Sequence, residues 1–89
     1  MTWKVDLLPQ AEGDLGKLDP QDARRISRFL FERVAKLENP RSIGEALHGP
    51  QFGELWKYRV GDYRVIAKIL DDRLLVLIVR IGHRREIYR

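Results

Sequence analysis

The stretch whose reading decides the fold is Leu55-Trp56-Lys57-Tyr58-Arg59-Val60-Gly61-Asp62-Tyr63-Arg64-Val65-Ile66. Two runs rich in aromatic and β-branched residues flank Gly61-Asp62, a two-residue hairpin signal of the kind that places glycine first. A loop of that length sets Val60 opposite Tyr63 and Arg59 opposite Arg64. Side chains alternate between faces along a strand, so Lys57, Arg59, Arg64 and Lys68 share one face. Leu55 and Ile66 interleave with them. Trp56, Tyr58, Val65, Ala67 and Ile69 point to the other face, which must be the core.

Outward from the hairpin, Tyr63 to Leu70 is a strand, Asp71-Asp72-Arg73 a turn, and Leu74 to Ile81 a further strand. Leu74 to Val79 is apolar throughout, which predicts a central strand covered on both faces. Upstream, Trp3 to Leu8 alternates as a first strand and Pro9 ends it. Gln10 to Leu18 reads as a short helix weakened by Gly13 and Gly16. Asp19 stands at the cap position of a second helix, with Pro20 in its first turn. Ile26, Phe29, Leu30, Val34 and Leu37 then follow the 3.6-residue period as one buried stripe, with Arg24, Arg25, Arg28 and Lys36 on the other side. Asn39-Pro40 stops this helix, and Arg41 to Gly53 has the composition of a loop, with His48-Gly49-Pro50 as a turn. The expected fold is therefore α+β in one domain spanning residues 1–89. An N-terminal strand and two helices precede a three-stranded antiparallel meander, with the helices on one face of the sheet.

Composition narrows the chemistry. Eighty-nine residues, 44% of them apolar, suit one small core. The absence of cysteine excludes disulfides, thiolate metal sites and a cysteine nucleophile, and fits a reducing cytoplasm. Two histidines and dispersed carboxylates form no metal-ligand set, and no Gly-rich phosphate loop is present, so neither a metal nor another cofactor is expected. Ser27 and Ser42 have no convincing His/Asp arrangement. The N-terminus shows no signal-peptide pattern, and the longest apolar run is far too short to span a bilayer. Residues 1–51 hold eight Lys/Arg and eight Asp/Glu, whereas residues 52–89 hold nine and five, so the net charge of +4 lies in the C-terminal part. A localised positive field suits a polyanion, and is equally compatible with a solvated surface.

The hairpin sharpens that choice. Like charges directly opposite each other destabilise a sheet, so Arg59 against Arg64 is a cost that folding alone does not explain. Such local conflicts concentrate at functional sites, and a phosphate backbone would neutralise this one. The bland alternative is that both side chains splay into screened solvent. The tail Ile81-Gly82-His83-Arg84-Arg85-Glu86-Ile87-Tyr88-Arg89 adds candidates. Tyr88 offers a surface for an unstacked base, and His83 a group that exchanges protons near neutral pH. Each is also readable as an ordinary tail residue.

The hairpin run and the ending Ile81 to Tyr88 together resemble the RelE-type toxins of the RelE/ParE superfamily, and the likeness extends over essentially the whole chain. The resemblance implies a toxin of a type II toxin–antitoxin pair that enters the ribosomal A site and cleaves messenger RNA. Its partners would be the ribosome with its mRNA and an acidic, partly flexible antitoxin. Lys57 and Arg59 correspond to the family's basic pair, Arg64 to the arginine after the hairpin, Arg84 to the arginine after the final strand, and Tyr88 to the C-terminal tyrosine. Lys68, His83 and Arg85 join them as candidate RNA contacts. Two rivals remain open: a ParE-like toxin that binds DNA gyrase without cutting RNA, and a non-catalytic RNA-binding domain.

Overall fold

The computed structural model describes residues 2–48 and 54–87. Strand β1 (Lys4–Leu7) leads through Pro9 into helix α1 (Pro9–Gly16). Helix α2 (Pro20–Arg28) follows, then β2 (Glu45–Ala46), β3 (Leu55–Val60), β4 (Tyr63–Leu70) and β5 (Leu75–His83). The sheet has five strands in the order β1-β5-β4-β3-β2. β1 runs parallel to β5, and the remaining neighbours are antiparallel. The expected meander is present as β3-β4-β5, inside a larger mixed sheet.

The hairpin has the register that a two-residue turn dictates, with Arg59 opposite Arg64 and Val60 opposite Tyr63. Gly61 takes φ +60, the left-handed value that a turn with glycine first requires. The turn between β4 and β5 is one residue longer than expected. Leu74 sits at φ 48 outside the strand, so β5 begins at Leu75 and runs on to His83.

One core holds both helices against one face of the sheet. Ala11, Ile26, Leu30 and Val34 pack on Tyr58, Val65, Ala67, Val76, Ile78 and Ile81. Tyr58 is fully buried and its hydroxyl donates to the Pro40 carbonyl at 2.6 Å. The stripe Ile26-Leu30-Val34 repeats every four residues. A straight α-helix would turn that row through about 80° over eight residues. The chain widens into a π-helical turn at Phe29–Arg33 and then tightens into a 3₁₀ turn at Val34–Lys36, which keeps all three residues buried. The second helix is thus three consecutive helical segments, where one continuous helix was expected. Asp19 occupies its cap position, but the side chain makes no capping hydrogen bond.

Three expectations need correcting. Residues 41–48 carry a 3₁₀ turn at Pro40–Ile43, held by the Arg41 amide donating to Asn39 Oδ1 at 3.0 Å, and then β2. A two-residue strand has too few side chains for alternation to be visible. The first helix ends at Gly16, two residues early. β5 does lie inside the sheet, but the helices cover only one of its faces; Val76 and Ile78 are buried while Leu75, Leu77 and Val79 are half-buried. Gly49 and Pro50 of the expected turn lie outside the described residues.

Candidate nucleic-acid interface

The face of the sheet opposite the helices carries the basic residues in rows fixed by register. Glu45 pairs with Lys57, and Lys57 with Ile66. The next row sets Arg59 against Arg64, and Arg64 against Gly82. On the other side, Leu55 pairs with Lys68, and Lys68 with Leu77. Lys57, Arg59, Arg64 and Lys68 therefore do share one face, as alternation demands. Lys68 is exposed and stands four residues from Arg64 along β4, about 13 Å at strand spacing.

The cluster is not free of acid. Glu45 lies with Oε2 3.6 Å from Lys57 Nζ and Oε1 3.5 Å from the Arg59 Nε. One carboxylate thus bridges two of the cations, and sequence reading missed it because it sits on the short β2. Its registration opposite Lys57 also fixes where the lysine points. Arg64 is held differently. Its Nη1 donates to the carbonyls of Gly61 at 3.1 Å and Tyr63 at 2.9 Å, so the guanidinium lies over the hairpin turn.

The end of β5 docks on that same turn. The Arg84 amide donates to the Asp62 carbonyl at 2.8 Å, and Arg84 Nε lies 3.8 Å from Asp62 Oδ1. Half of the Arg84 side chain remains exposed. Arg64 and Arg84 are therefore both tied to the Gly61-Asp62 turn, although 20 residues separate them in sequence. The chain then turns back, with the amides of Glu86 and Ile87 donating to the His83 carbonyl. Tyr88 lies outside the described residues.

His83 is not brought to the basic face. It pairs with Tyr63 in the sheet and meets its ring edge-on at 5.9 Å. The Tyr63 hydroxyl donates to Asp22 of α2 at 3.1 Å, which keeps that phenol protonated beyond its ordinary range, so this pair faces the helix side. Arg85 is exposed, and its amide donates to His83 Nδ1. At the opposite end of the sheet, Arg41 makes a two-pronged pair with Asp71 at 2.9 and 2.6 Å and lies 5.7 Å from the Trp56 ring centre. That pair links Pro40–Ile43 to the β4–β5 turn.

Chemically, the sheet face opposite the helices presents guanidinium and ammonium groups around a hairpin, beside the carboxylates of Glu45 and Asp62 and a strip of half-buried leucine and valine. Such a surface grips phosphate through charge-assisted hydrogen bonds. Among the described residues no group of His, Cys, Asp or Glu is placed to hold a metal ion.

Comparison with known proteins gives a consistent result. Residues 5–88 match the family model for the ParE toxin of type II toxin–antitoxin systems. The chain is 32% identical to Toxin RelG of Mycobacterium tuberculosis, covering 100% of this chain and 99% of that protein. It is 33% identical to Toxin RelE of the same organism, over 98% of this chain and 87% of that protein. Among solved structures it resembles a chain of the toxin–antitoxin complex RelBE2 of Mycobacterium tuberculosis, with a TM-score of 0.86 and 27% identity over 97% of this chain and 95% of that one.

Proposed function

Because the chain belongs to the RelE/ParE superfamily of type II toxin–antitoxin toxins, we propose that it is an mRNA interferase, an endoribonuclease that cuts message in the ribosomal A site without a metal. One observation supports this reading above all: Lys57, Arg59 and Arg64 stand together on the sheet face opposite the helices, and Arg84 is fastened to the same hairpin turn.

RNA brings its own nucleophile. The 2′-hydroxyl attacks the adjacent phosphate, the bond to the 5′-oxygen breaks, and the products are a 2′,3′-cyclic phosphate and a 5′-hydroxyl. The protein must orient the chain, stabilise charge on the phosphate and move two protons. Arg64 and Arg84 grip the phosphate, since guanidinium stays charged throughout. Lys57 takes the proton of the 2′-hydroxyl, and Arg59 holds the phosphate beside it. As RNA enters, phosphate replaces Glu45 as the partner of Arg59. Tyr88 stacks a base or protonates the leaving oxygen. Lys68 extends the contact along β4 and Arg85 adds a charge in the turn beyond β5, whereas His83, turned toward Tyr63 and the helices, takes no part in it. Proton transfer of this kind supplies about 10²–10⁴-fold, so positioning must supply much of the rest.

An acidic, partly flexible antitoxin would cover the same face, in keeping with the complexed state of the RelBE2 relative. Action on ribosomes would place the protein in the cytoplasm; among the described residues no helix is long and apolar enough to cross a membrane. The family match by ParE description favours a second reading, a toxin that binds gyrase with message left intact. A third is a non-catalytic RNA-binding domain.

The test is to incubate the protein with programmed ribosomes and map RNA ends, with a gyrase supercoiling assay alongside. Cuts within A-site codons are expected, and Arg64→Ala or Arg84→Ala should abolish them with the fold intact. Intact message with poisoned gyrase would establish the second reading, and binding without cuts the third.

A further inference from the structure

The strand site leaves the arginines of the helical segment unexplained. Arg24, Arg25, Arg28 and Arg33 are all exposed, and among the described residues none of them makes an ion pair. Guanidinium groups one turn apart on a helix repel, as Arg24 and Arg28 do, so the cluster costs stability unless something anionic meets it. Glu32 borders the cluster, and among the described residues it makes no ion pair with any of them.

Their position relative to the hairpin is specific. β2 covers β3 only where Glu45 and Ala46 pair with Lys57 and Trp56, so among the described residues Tyr58 to Val60 have no strand on their outer side. At that open edge lies a groove of about 410 Å³, whose wall includes Arg25, Arg28, Arg33 and the single carboxylate Glu32 from the helical segment, and Arg59 and Gly61 from the hairpin. A smaller concavity of about 150 Å³ adjoins it and also has Arg33 and Arg59 in its wall, together with Lys57 and Glu45. Arg59 and Arg33 thus belong to both. Arg25 reaches the hairpin itself: a Cβ built on Gly61 would lie 2.7 Å from its Nη1. Gly61 consequently has the guanidinium of Arg25 on one side, while its carbonyl accepts from Arg64. The cations of the helix and of the sheet meet at one turn, and the positive track does not stop at the sheet edge.

We propose that Arg25, Arg28 and Arg33 form a second phosphate-binding surface, continuous through Arg59 with the strand site, which holds RNA backbone beyond the nucleotides at the cut. This rests on the RNA reading above and extends it to where the strand goes next. The phosphates belong either to flanking message or to ribosomal RNA, and the chemistry of recognition is the same. A run of guanidiniums without ordered base-edge partners gives affinity without sequence choice.

The experiment compares wild type with the triple variants Arg25→Gln/Arg28→Gln/Arg33→Gln and Arg25→Lys/Arg28→Lys/Arg33→Lys. Affinity is measured against salt for uncleavable 2′-O-methyl oligoribonucleotides of about four and about twelve nucleotides, a range that spans one to several contact sites. For the longer probe, the glutamine variant should bind about tenfold or more weakly, with a log–log salt slope smaller by about 2, since each lost contact removes roughly 0.7. The shorter probe should be unaffected, and the lysine variant should keep most of the slope. A parallel titration of programmed ribosomes separates the two sources: a fall there with oligonucleotide binding unchanged assigns the phosphates to ribosomal RNA. Unchanged affinity and slope in both arms would overturn the proposal, as would equal losses for the two probes or a loss confined to binding an acidic antitoxin peptide. If wild type cuts ribosome-bound message while these results are negative, the strand-site reading survives and only this extension fails. If wild type neither binds nor cuts RNA, both fall.

Discussion

Replacing Arg59 with Gln separates what this side chain does for folding from what it does for binding. Two folding effects oppose each other. The variant loses an exposed ion pair with Glu45, 3.5 Å long with more than half of each side chain in solvent, worth about 0–1 kcal/mol. It also relieves the direct opposition of Arg59 and Arg64, worth about 0.2–1 kcal/mol in the other direction. The net change should stay within about 1 kcal/mol, or roughly 4–8 °C in Tm for a domain of this size. Binding should change more, because the phosphate contact outweighs the exposed Glu45 pair that it replaces. A hydrogen bond to a charged group is worth about 1.5–3 kcal/mol, hence a loss of about 10- to 150-fold in affinity for single-stranded RNA. The salt slope should fall by about 0.7. Thermal melts and fluorescence anisotropy with an uncleavable oligoribonucleotide at several salt concentrations read both quantities. An affinity within twofold of wild type at unchanged slope would refute the assignment of Arg59 to phosphate, and a Tm lowered by more than about 10 °C would make it a structural residue instead.

Glu45→Gln removes the carboxylate that competes with RNA for Lys57 and Arg59; RNA should bind about 1.4- to 5-fold more tightly, the equivalent of one exposed ion pair, with the cutting rate retained. A collapse of single-turnover cutting at saturating protein would instead move the proton-accepting role from Lys57 to Glu45. Burial pushes the Tyr58 phenol up to about 12, against an ordinary value of 10.0, with Arg41 opposing. Stability due to the neutral phenol is therefore complete below about pH 10 and is lost as pH rises through 12. Tyr58→Phe should flatten that alkaline limb in denaturation curves and cost about 1–3 kcal/mol at neutral pH, because the Pro40 carbonyl loses its donor. The hydrogen bond from Arg41 holds Asp71 below its ordinary 3.8, so the contribution of this pair is present above that value and disappears as pH falls through the lower folded value. Asp71→Asn should remove that acid-side dependence in pH-resolved melts, and an unchanged acid limb would show that the pair does not stabilise the fold.

The hairpin register was legible because glycine at a two-residue turn and strict alternation leave one solution, and with it came the shared face of Lys57, Arg59, Arg64 and Lys68. Arg84 was legible only through the resemblance; its geometric tie is a backbone amide meeting the Asp62 carbonyl, which no side-chain pattern encodes. His83 was misplaced in space because it was read as part of the tail, whereas β5 continues through it and alternation then sends it to the side of Tyr63. Glu45 escaped because two residues cannot display a period. The continuous apolar run in β5 was read as burial on both faces, yet the sheet leaves Leu75, Leu77 and Val79 half-open on the face that carries the cations. An apolar run reports that a surface favours being covered; a covering partner need not belong to the same chain. The π-helical turn was hidden because a four-residue repeat fits an ordinary helix nearly as well.

The most direct measurement is the single-turnover rate at which saturating protein cuts message on programmed ribosomes, for wild type and for a variant with Lys57→Gln, Arg59→Gln and Arg64→Gln together. The expected result is a loss of about 10³-fold or more with the cooperative melt preserved. A rate within tenfold of wild type would mean that the cation-bearing face of β3 and β4 is not where the chemistry happens.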